Sequence, residues 1–412
     1  MTVLLSNAPF NARKLNFNTI LTGTNTQVEF FDDKNLKVGI GTYADTFVVA
    51  GTHGDVTQSF FFQGDNLQTN AQGIINGGTV QGMAVAQSAV DGSNPRLVLA
   101  LDGLSVPVGT FLAAVNSPSL GDDRKLIAGL LKGDDIMVLS NGRDIASGLS
   151  GHDQISGGAG RDLLRGGRGN DTLVGDKGND RLFGQAGNDT LILDAGNDRL
   201  VGGKGSDWVQ AASDTAATIN LGRAGPQKTG LGKDTLVGIE NALGSTGNDR
   251  LIGSKRANEL DGAGGNDSLT GAGGKDVLKG GGGNDLLNGG MGGDLLTGGD
   301  GMDQFIYKSL RDSGNIWDAQ DEIRDFEQGQ DRINLKAMDA NPSTGTDDAF
   351  RFVGDDGLSI SGTGEIAYRH VVYIEDQKDY TLLLIDTDAD ADPEATIRLP
   401  GHIDLTESDF IL

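Results

Sequence analysis

The chain has 412 residues, with 58 acidic side chains against 33 basic ones and a formal net charge of −25. This excess of acid argues against a nucleic-acid partner, which needs a basic surface, and against binding to anionic membranes. Cysteine is absent, which excludes a disulfide framework and a thiolate nucleophile. No apolar run reaches the length of about 18 residues that a membrane-spanning helix requires.

Residues 1–128 are predicted to form a small β-rich N-terminal domain of unknown role. The stretches QVEFF, TFVVA, QSFFF and RLVLAL are strand-like, and turns rich in Gly and Asn separate them. Two weaker helical patterns follow at 108–115 and 123–131. The first residues carry no basic segment before their short apolar run, so we expect no Sec-type signal peptide.

Aspartate recurs every ninth residue from position 135 onwards, and a glycine stands two positions before each aspartate of the first series. The period predicts a solenoid, because helices and strands repeat every 3.6 and 2 residues. We divide this part into a first block at 129–211, a strand-containing connector at 212–243 and a second block at 244–306. The aspartates are Asp135, Asp144, Asp153, Asp162, Asp171, Asp180, Asp189, Asp198, Asp207, Asp249, Asp267, Asp276, Asp285, Asp294 and Asp303, with Asn258 in the one position that lacks an aspartate.

The repeat fits the pattern G-G-x-G-x-D-x-U-x, where U is a large aliphatic residue. Glycine allows left-handed backbone angles and a close approach of carbonyl groups, and aspartate supplies the hard oxygen that Ca²⁺ prefers. Two nonapeptides make one coil, so aspartates 18 residues apart stack and an ion between them is shared. Glycine turns without metal are the alternative, which the repulsion between stacked carboxylates disfavours. The U residues, predicted to point inward, are Met137, Ala146, Ile155, Leu164, Leu173, Leu182, Leu191, Leu200, Val209, Leu251, Leu260, Leu269, Leu278, Leu287, Leu296 and Phe305.

This nonapeptide resembles the repeat of the RTX (repeats-in-toxin) family, which is a known calcium-binding pattern. The resemblance implies an all-β chain with a parallel β-roll, and up to about twelve Ca²⁺ ions between stacked repeats. Asn258 and Arg256 depart from the pattern, so we expect weak or no binding in that loop. The repeats of Asp135 and Asp144 lack the double glycine, as expected of a capping coil.

Residues 307–412 resemble the C-terminal domain of serralysin-type metalloproteases, through segments such as DEIRDFEQGQDRINL and the final tetrapeptide Asp409–Leu412. The resemblance implies an uncleaved signal for type I secretion, with an ABC transporter, an adaptor and an outer-membrane channel as partners. It therefore implies an extracellular protein of a Gram-negative bacterium. An ordinary terminal β-strand is the alternative. The acidic stretch 386–394 departs from an EF-hand loop at Ala391 and Ile397 and is interpreted as a hairpin loop.

The sequence carries no H-E-x-x-H helix and no G-x-S-x-G motif, so neither a zinc protease nor a serine lipase is indicated. Two hypotheses remain. The first is a secreted, non-enzymatic calcium-binding protein that acts as a matrix, adhesion or surface-associated module, with extracellular polysaccharide or a cell surface as a possible partner. The second is a secreted enzyme that acts on polysaccharide and has its active site in residues 1–128.

Overall fold

The structure is a computed structural model. It describes residues 133–412 apart from short gaps at 140–141, 213, 317–318, 345–346, 356–357, 359–362, 373–377 and 389–391, and it describes the backbone of six strands before residue 108. The two helical patterns at 108–115 and 123–131 lie outside the described residues. The chain divides into two compact units, Met1–Asp207 and Trp208–Leu412. The predicted domain boundaries stay predictions.

The first unit begins with an antiparallel sheet. Its strands follow the order β2–β3–β4–β5–β6–β1, and β1 also pairs in parallel with β7, the first strand of the repeat region. The four strand-like stretches of the sequence fall on β2, β3, β4 and β6, whereas β5 is not among the predicted strands. The strands are β1 (Thr2–Leu5), β2 (Gln27–Phe31), β3 (Asp45–His53), β4 (Val56–Thr69), β5 (Ile75–Ala89), β6 (Arg96–Pro107) and β7 (Ile136–Val138).

The rest of the first unit is a parallel β-solenoid. One face pairs β7–β9–β12–β15 and the other pairs β8–β11–β14–β16, each strand in register with the one 18 residues away. A small parallel pair, β10–β13, lies between them in the chain. The strands are β8 (Ile145–Ser150), β9 (Gln154–Ser156), β10 (Ala159–Gly160), β11 (Leu163–Arg168), β12 (Thr172–Val174), β13 (Lys177–Gly178), β14 (Arg181–Ala186), β15 (Thr190–Leu193) and β16 (Arg199–Lys204).

The second unit has the same solenoid form and carries the C-terminal region on it. The strands are β17 (Trp208–Ala211), β18 (Thr218–Asn220), β19 (Gln227–Lys228), β20 (Lys233–Val237), β21 (Asn241–Leu243), β22 (Arg250–Ile252), β23 (Glu259–Asp261), β24 (Ser268–Gly273), β25 (Val277–Gly282), β26 (Leu286–Met291), β27 (Leu295–Asp300), β28 (Gln304–Ile306), β29 (Asp321–Ile323), β30 (Arg332–Asn334), β31 (Arg351–Gly354), β32 (Glu365–Val372), β33 (Asp379–Asp386), β34 (Ala395–Pro400) and β35 (Phe410–Ile411).

Two parallel ladders run through this second unit. One is β17–β21–β23–β25–β27–β29, to which β34 adds in parallel and β33 and β32 add in antiparallel order. The other is β18–β22–β24–β26–β28–β30–β35. The solenoid therefore includes strands from the predicted connector and from beyond residue 306. Among the described residues every regular element other than a 3₁₀ turn at Glu407–Asp409 is a β-strand, as the all-β prediction required.

The core of both solenoids is the column of U residues. All of those predicted to point inward are buried, and none is more than 3% exposed. Leu164, Leu182 and Leu200 are register partners on one face, and Leu173 and Leu191 are register partners on the other. Stacked leucines of neighbouring coils remove apolar surface from water, at roughly 25 cal/mol per Å², so each coil is stabilised by its neighbours rather than by a core of its own.

Candidate metal sites

The structure places the fifteen predicted aspartates at the turns of the solenoid, directly before the strands that carry the U residues. Each of the fifteen side chains is buried, with no more than 4% of its surface exposed. A column of buried carboxylates is costly unless each oxygen finds a positive partner, because burial removes the hydration of a charge.

One carboxylate oxygen of each stacked pair is held by the neighbouring coil. The backbone N–H of Asp153 donates to Asp171 Oδ1 at 2.9 Å, and the N–H of Asp171 donates to Asp189 Oδ1 at the same distance. The second unit repeats the bond, with Asp267 donating to Asp285 Oδ1 at 2.7 Å. Each turn thus receives its acceptor from the turn 18 residues further along the chain.

The other carboxylate oxygen, Oδ2, is buried and has no hydrogen-bond partner in the described part of the chain in ten of these aspartates. A buried oxygen of this kind is rare in folded proteins and requires an explanation. These aspartates are Asp153, Asp162, Asp171, Asp180, Asp189, Asp267, Asp276, Asp285, Asp294 and Asp303. A bound cation that completes each oxygen is the explanation that suits a carboxylate.

The first glycine of the repeat leaves room beside this oxygen. A Cβ built on Gly157 would lie 2.7 Å from Asp162 Oδ2 and 2.9 Å from the carbonyl oxygen of Gly175 in the next coil. A methyl group does not fit there. A carboxylate and a carbonyl oxygen from two coils converge on a space of the size of a Ca²⁺ site, whose ligands lie at about 2.3–2.6 Å. The residues present therefore fit calcium.

The buried carboxylates hold their protons more tightly than ordinary aspartates. Burial raises the pKa of Asp171 to about 7, and the charges of Asp153 and Asp189 raise it further, against a backbone hydrogen bond that lowers it. Burial likewise raises the pKa of Asp276 to about 7 and that of Asp162 to about 6. Without a cation, the carboxylates of these sites are partly protonated near neutral pH.

This arrangement predicts that calcium affinity falls as the pH is lowered from 7 to 5. Each ion must displace protons that the metal-free roll holds below pH 6–7, and affinity then falls roughly tenfold per pH unit for each proton displaced. The metal-free roll responds in the opposite sense: because the folded pKa values are raised, its stability is greatest at acid pH and is lost as the pH rises through them. Calcium titrations followed by circular dichroism from pH 5 to 8 measure the effect, and a midpoint independent of pH would contradict it.

Asn258 keeps its place in the column without supplying a carboxylate. It is buried, its N–H donates to Asp276 Oδ1 at 2.7 Å, and its Nδ2 donates to the carbonyl oxygen of Glu240 at 2.5 Å. The amide nitrogen lies where the aspartates carry their second oxygen, and it carries no charge to attract a cation.

Two aspartates of the column are absent from the sequence prediction. The N–H of Asp294 donates to Asp321 Oδ1 at 2.9 Å, and the N–H of Asp303 donates to Asp331 Oδ1 at 3.0 Å. The spacings of 27 and 28 residues break the nine-residue period, which hid them. Both nevertheless keep the D-x-U signature, in Asp321-Glu322-Ile323 and Asp331-Arg332-Ile333.

A second column, of exposed asparagines, was also missed. Asn170 Oδ1 accepts the N–H of Asn188 at 2.8 Å, and Asn266 Oδ1 accepts the N–H of Asn284 at 2.7 Å. The Asn-Asp dipeptide that recurs in the repeats is its sequence signal. His152 fills one position of this column, where it is exposed and its Nδ1 accepts the N–H of Asn170 at 2.8 Å.

The acidic stretch 386–394 lies between two paired strands. β33 and β34 pair antiparallel on its two sides, with Ile385 opposite Ala395, so the predicted hairpin is confirmed. Inside it, Thr387 N–H donates to Glu394 Oε2 at 2.7 Å.

Family models match two parts of the chain. The model for the Peptidase M10 serralysin C terminal matches residues 225–412. The model for the RTX calcium-binding nonapeptide repeat matches residues 138–173 and 174–209. A comparison with curated proteins gives no match, and within the described residues no helix has the length and apolar character needed to cross a bilayer.

Solved structures similar to the chain include two subunits of a mannuronan C5-epimerase from Azotobacter vinelandii. AlgE6R3 is 25% identical over 40% of this chain and 79% of its own, with a TM-score of 0.19. AlgE6R2 is 24% identical over 42% and 91%, with a TM-score of 0.21. The extracellular lipase LipA from Serratia marcescens is 16% identical over 76% of this chain and 51% of its own, with a TM-score of 0.22. At these TM-scores the similarities carry no information about activity or substrate.

Proposed function

We propose that this chain, which carries RTX calcium-binding nonapeptide repeats and a serralysin-type C-terminal domain, is a secreted protein whose folding depends on extracellular Ca²⁺. The observation that carries the proposal is the buried Oδ2 of Asp162, which faces the Gly175 carbonyl across a space that a Cβ would fill. The fifteen aspartates of the two series, together with Asp321 and Asp331, are proposed to supply the carboxylate ligands.

The charge of the molecule supports the same function. Ca²⁺ ions in the turns would offset much of the formal net charge of −25, which otherwise opposes a compact state by self-repulsion. Extracellular calcium modules bind at about 10⁻⁴–10⁻³ M. Such affinities leave the chain unfolded where calcium is scarce and fold it where calcium is abundant.

We further propose a non-enzymatic role as a matrix, adhesion or surface-associated module. A long, rigid, metal-filled solenoid offers repeated surface rather than a cleft, which suits attachment better than catalysis. The catalytic alternative places an active site in residues 1–128, whose side chains lie outside the described part of the structure. Fractionation tests the role: the exported protein is expected in the cell-surface or matrix fraction and to be released by chelation. Protein that stays in the medium at millimolar Ca²⁺ would contradict the attachment role.

Export through a type I apparatus (ABC transporter, adaptor and outer-membrane channel) is expected to require the C-terminal residues. Deleting Asp409–Leu412 from the full chain is expected to retain the protein inside cells that carry such an exporter, as an immunoblot of medium and cell fractions would show.

The deletion also removes β35, so a control must separate export from folding. Ile333 is fully buried and is the register partner of Phe410, and Ile333→Ala weakens the same contact by about 2–5 kcal/mol while it leaves the terminal residues intact. Export of the Ile333→Ala chain alongside retention of the deleted chain supports a C-terminal signal. Equal export of the deleted chain would contradict it.

A further inference from the structure

Two histidines and an aspartate meet at the edge of the sheet formed by β32, β33 and β34. His370 lies on β32, and His402 and Asp404 lie on the loop that follows β34. One ligand atom from each of the three residues lies within 4.8 Å of the others. His370 Nε2 is 3.2 Å from Asp404 Oδ1, and His402 Nε2 is 3.6 Å from the same oxygen.

A buried threonine fixes the orientation of this cluster. Thr381, the register partner of His370, is 0% exposed. Its hydroxyl donates to the carbonyl oxygen of Gly401 at 3.0 Å and accepts the N–H of Ile403 at 2.8 Å. It therefore holds the loop on which His402 and Asp404 lie.

The same hydroxyl assigns the tautomer of His370. Thr381 Oγ1 lies 3.1 Å from His370 Nδ1, and the one hydroxyl hydrogen is already given to Gly401. Nδ1 must then carry the hydrogen and donate it, so that Nε2 of the neutral ring presents a lone pair. That lone pair faces the Asp404 carboxylate at 3.2 Å. Two acceptors at this distance repel each other unless a positive charge lies between them.

His402 extends the argument from a proton to a metal. Its ring stacks on that of His370, with centroids 3.4 Å apart and planes inclined by 12°, and it turns Nε2 toward the same carboxylate oxygen. His402 is 65% exposed, so it can rotate its lone pair onto an ion. A single cation would satisfy both imidazole nitrogens and the carboxylate.

We propose that His370, His402 and Asp404 bind one divalent transition-metal ion, with Zn²⁺ as the metal that this ligand set suits. Zn²⁺ takes imidazole nitrogen at about 2.0–2.1 Å together with carboxylate oxygen, and a fourth position is open to water. Ca²⁺ takes oxygen ligands almost alone, so this site differs in chemistry from those of the solenoid. The Nδ1–H bond to Thr381 is the outer contact that orients a metal-bound histidine. The ion ties β32 to a loop 34 residues further along the chain.

Zinc binding to the untagged full chain in saturating Ca²⁺ tests the proposal. The chain has four histidines, so their ring signals in NMR of histidine-labelled protein are few enough to follow one by one. Addition of Zn²⁺ is expected to shift the signals of His370 and His402 and to leave that of His152 unchanged. Titration calorimetry is expected to show one zinc ion bound per chain at this site.

The variants sharpen the result. His402→Ala and Asp404→Asn are expected to abolish the zinc signal, Thr381→Val to weaken affinity by about 10–100-fold, and His152→Ala to change nothing. Circular dichroism in Ca²⁺ checks that each variant is folded. Zinc binding that His402→Ala and Asp404→Asn leave at full stoichiometry would overturn the proposal. Histidine shifts that follow pH but not Zn²⁺ would also overturn it, because a shared proton would then be the positive charge.

Discussion

Removal of calcium from the full chain at neutral pH is expected to convert both repeat regions from β-structure to a disordered chain. Each Oδ2 that an ion would complete becomes an uncompensated buried charge, at a cost of several kcal/mol per ion. Ten such oxygens lie in the described part of the two columns, whereas a folded domain has only about 5–15 kcal/mol of stability in all. A few empty sites are therefore enough to unfold the solenoid.

Circular dichroism of the full chain in EDTA and in millimolar Ca²⁺ measures this change. Mg²⁺ is the matched control, because it demands an octahedral shell at about 2.0–2.1 Å and keeps several of its waters. It is expected to leave the chain disordered. A spectrum that is the same in EDTA and in Ca²⁺ would refute the calcium function of the repeats.

The second large effect is expected from Asp171→Asn combined with Asp189→Asn. The amide keeps the Oδ1 that accepts the N–H of Asp153, and Asn258 shows that an asparagine fits this position of the column. The pair of changes therefore removes charge and metal ligands with little change of shape. We expect the loss of at least one bound Ca²⁺ and a several-fold higher calcium midpoint of folding, measured by calorimetry and circular dichroism.

Asn258→Ala is the matched control for that double variant. It removes hydrogen bonds with Ser254 and Glu240, which lowers stability by about 1 kcal/mol per bond, but no carboxylate is lost. Calcium stoichiometry is expected to stay at the wild-type value. If both variants lost the same number of ions, the assignment of ligands to the aspartate column would be wrong.

The sequence predicts the repeat region well because the repeat states its own geometry. A leucine every nine residues must face the same core, and Leu164 and Leu173 do so with 0% exposure. Asp321 and Asp331 escaped because the chain between successive rungs lengthens there, and periodicity cannot count across an insertion. Only the local D-x-U signature survives, and it is too short to be read alone.

Strand β5 escaped for a different reason. Its sequence contains Gly77, Gly78 and Gly82, which on their own favour turns over strands. Pairing with β4 and β6 along most of its length overrides that local preference. The cluster of His370, His402 and Asp404 could not be predicted either, because the fold of β32 and β34 brings together residues that no motif connects.

The hydrogen bonds of the buried aspartate column all point one way. Each turn donates its N–H to a carboxylate of the next turn, from Asp135 to Asp153 and on to Asp171. In the second unit the final acceptors, Asp321 and Asp331, belong to the C-terminal region. A turn is complete only after its successor is in place, so order spreads through the solenoid from the C-terminal side toward the N-terminal side. A chain that leaves a cell with its C-terminal region already outside would present the nucleus of the solenoid first.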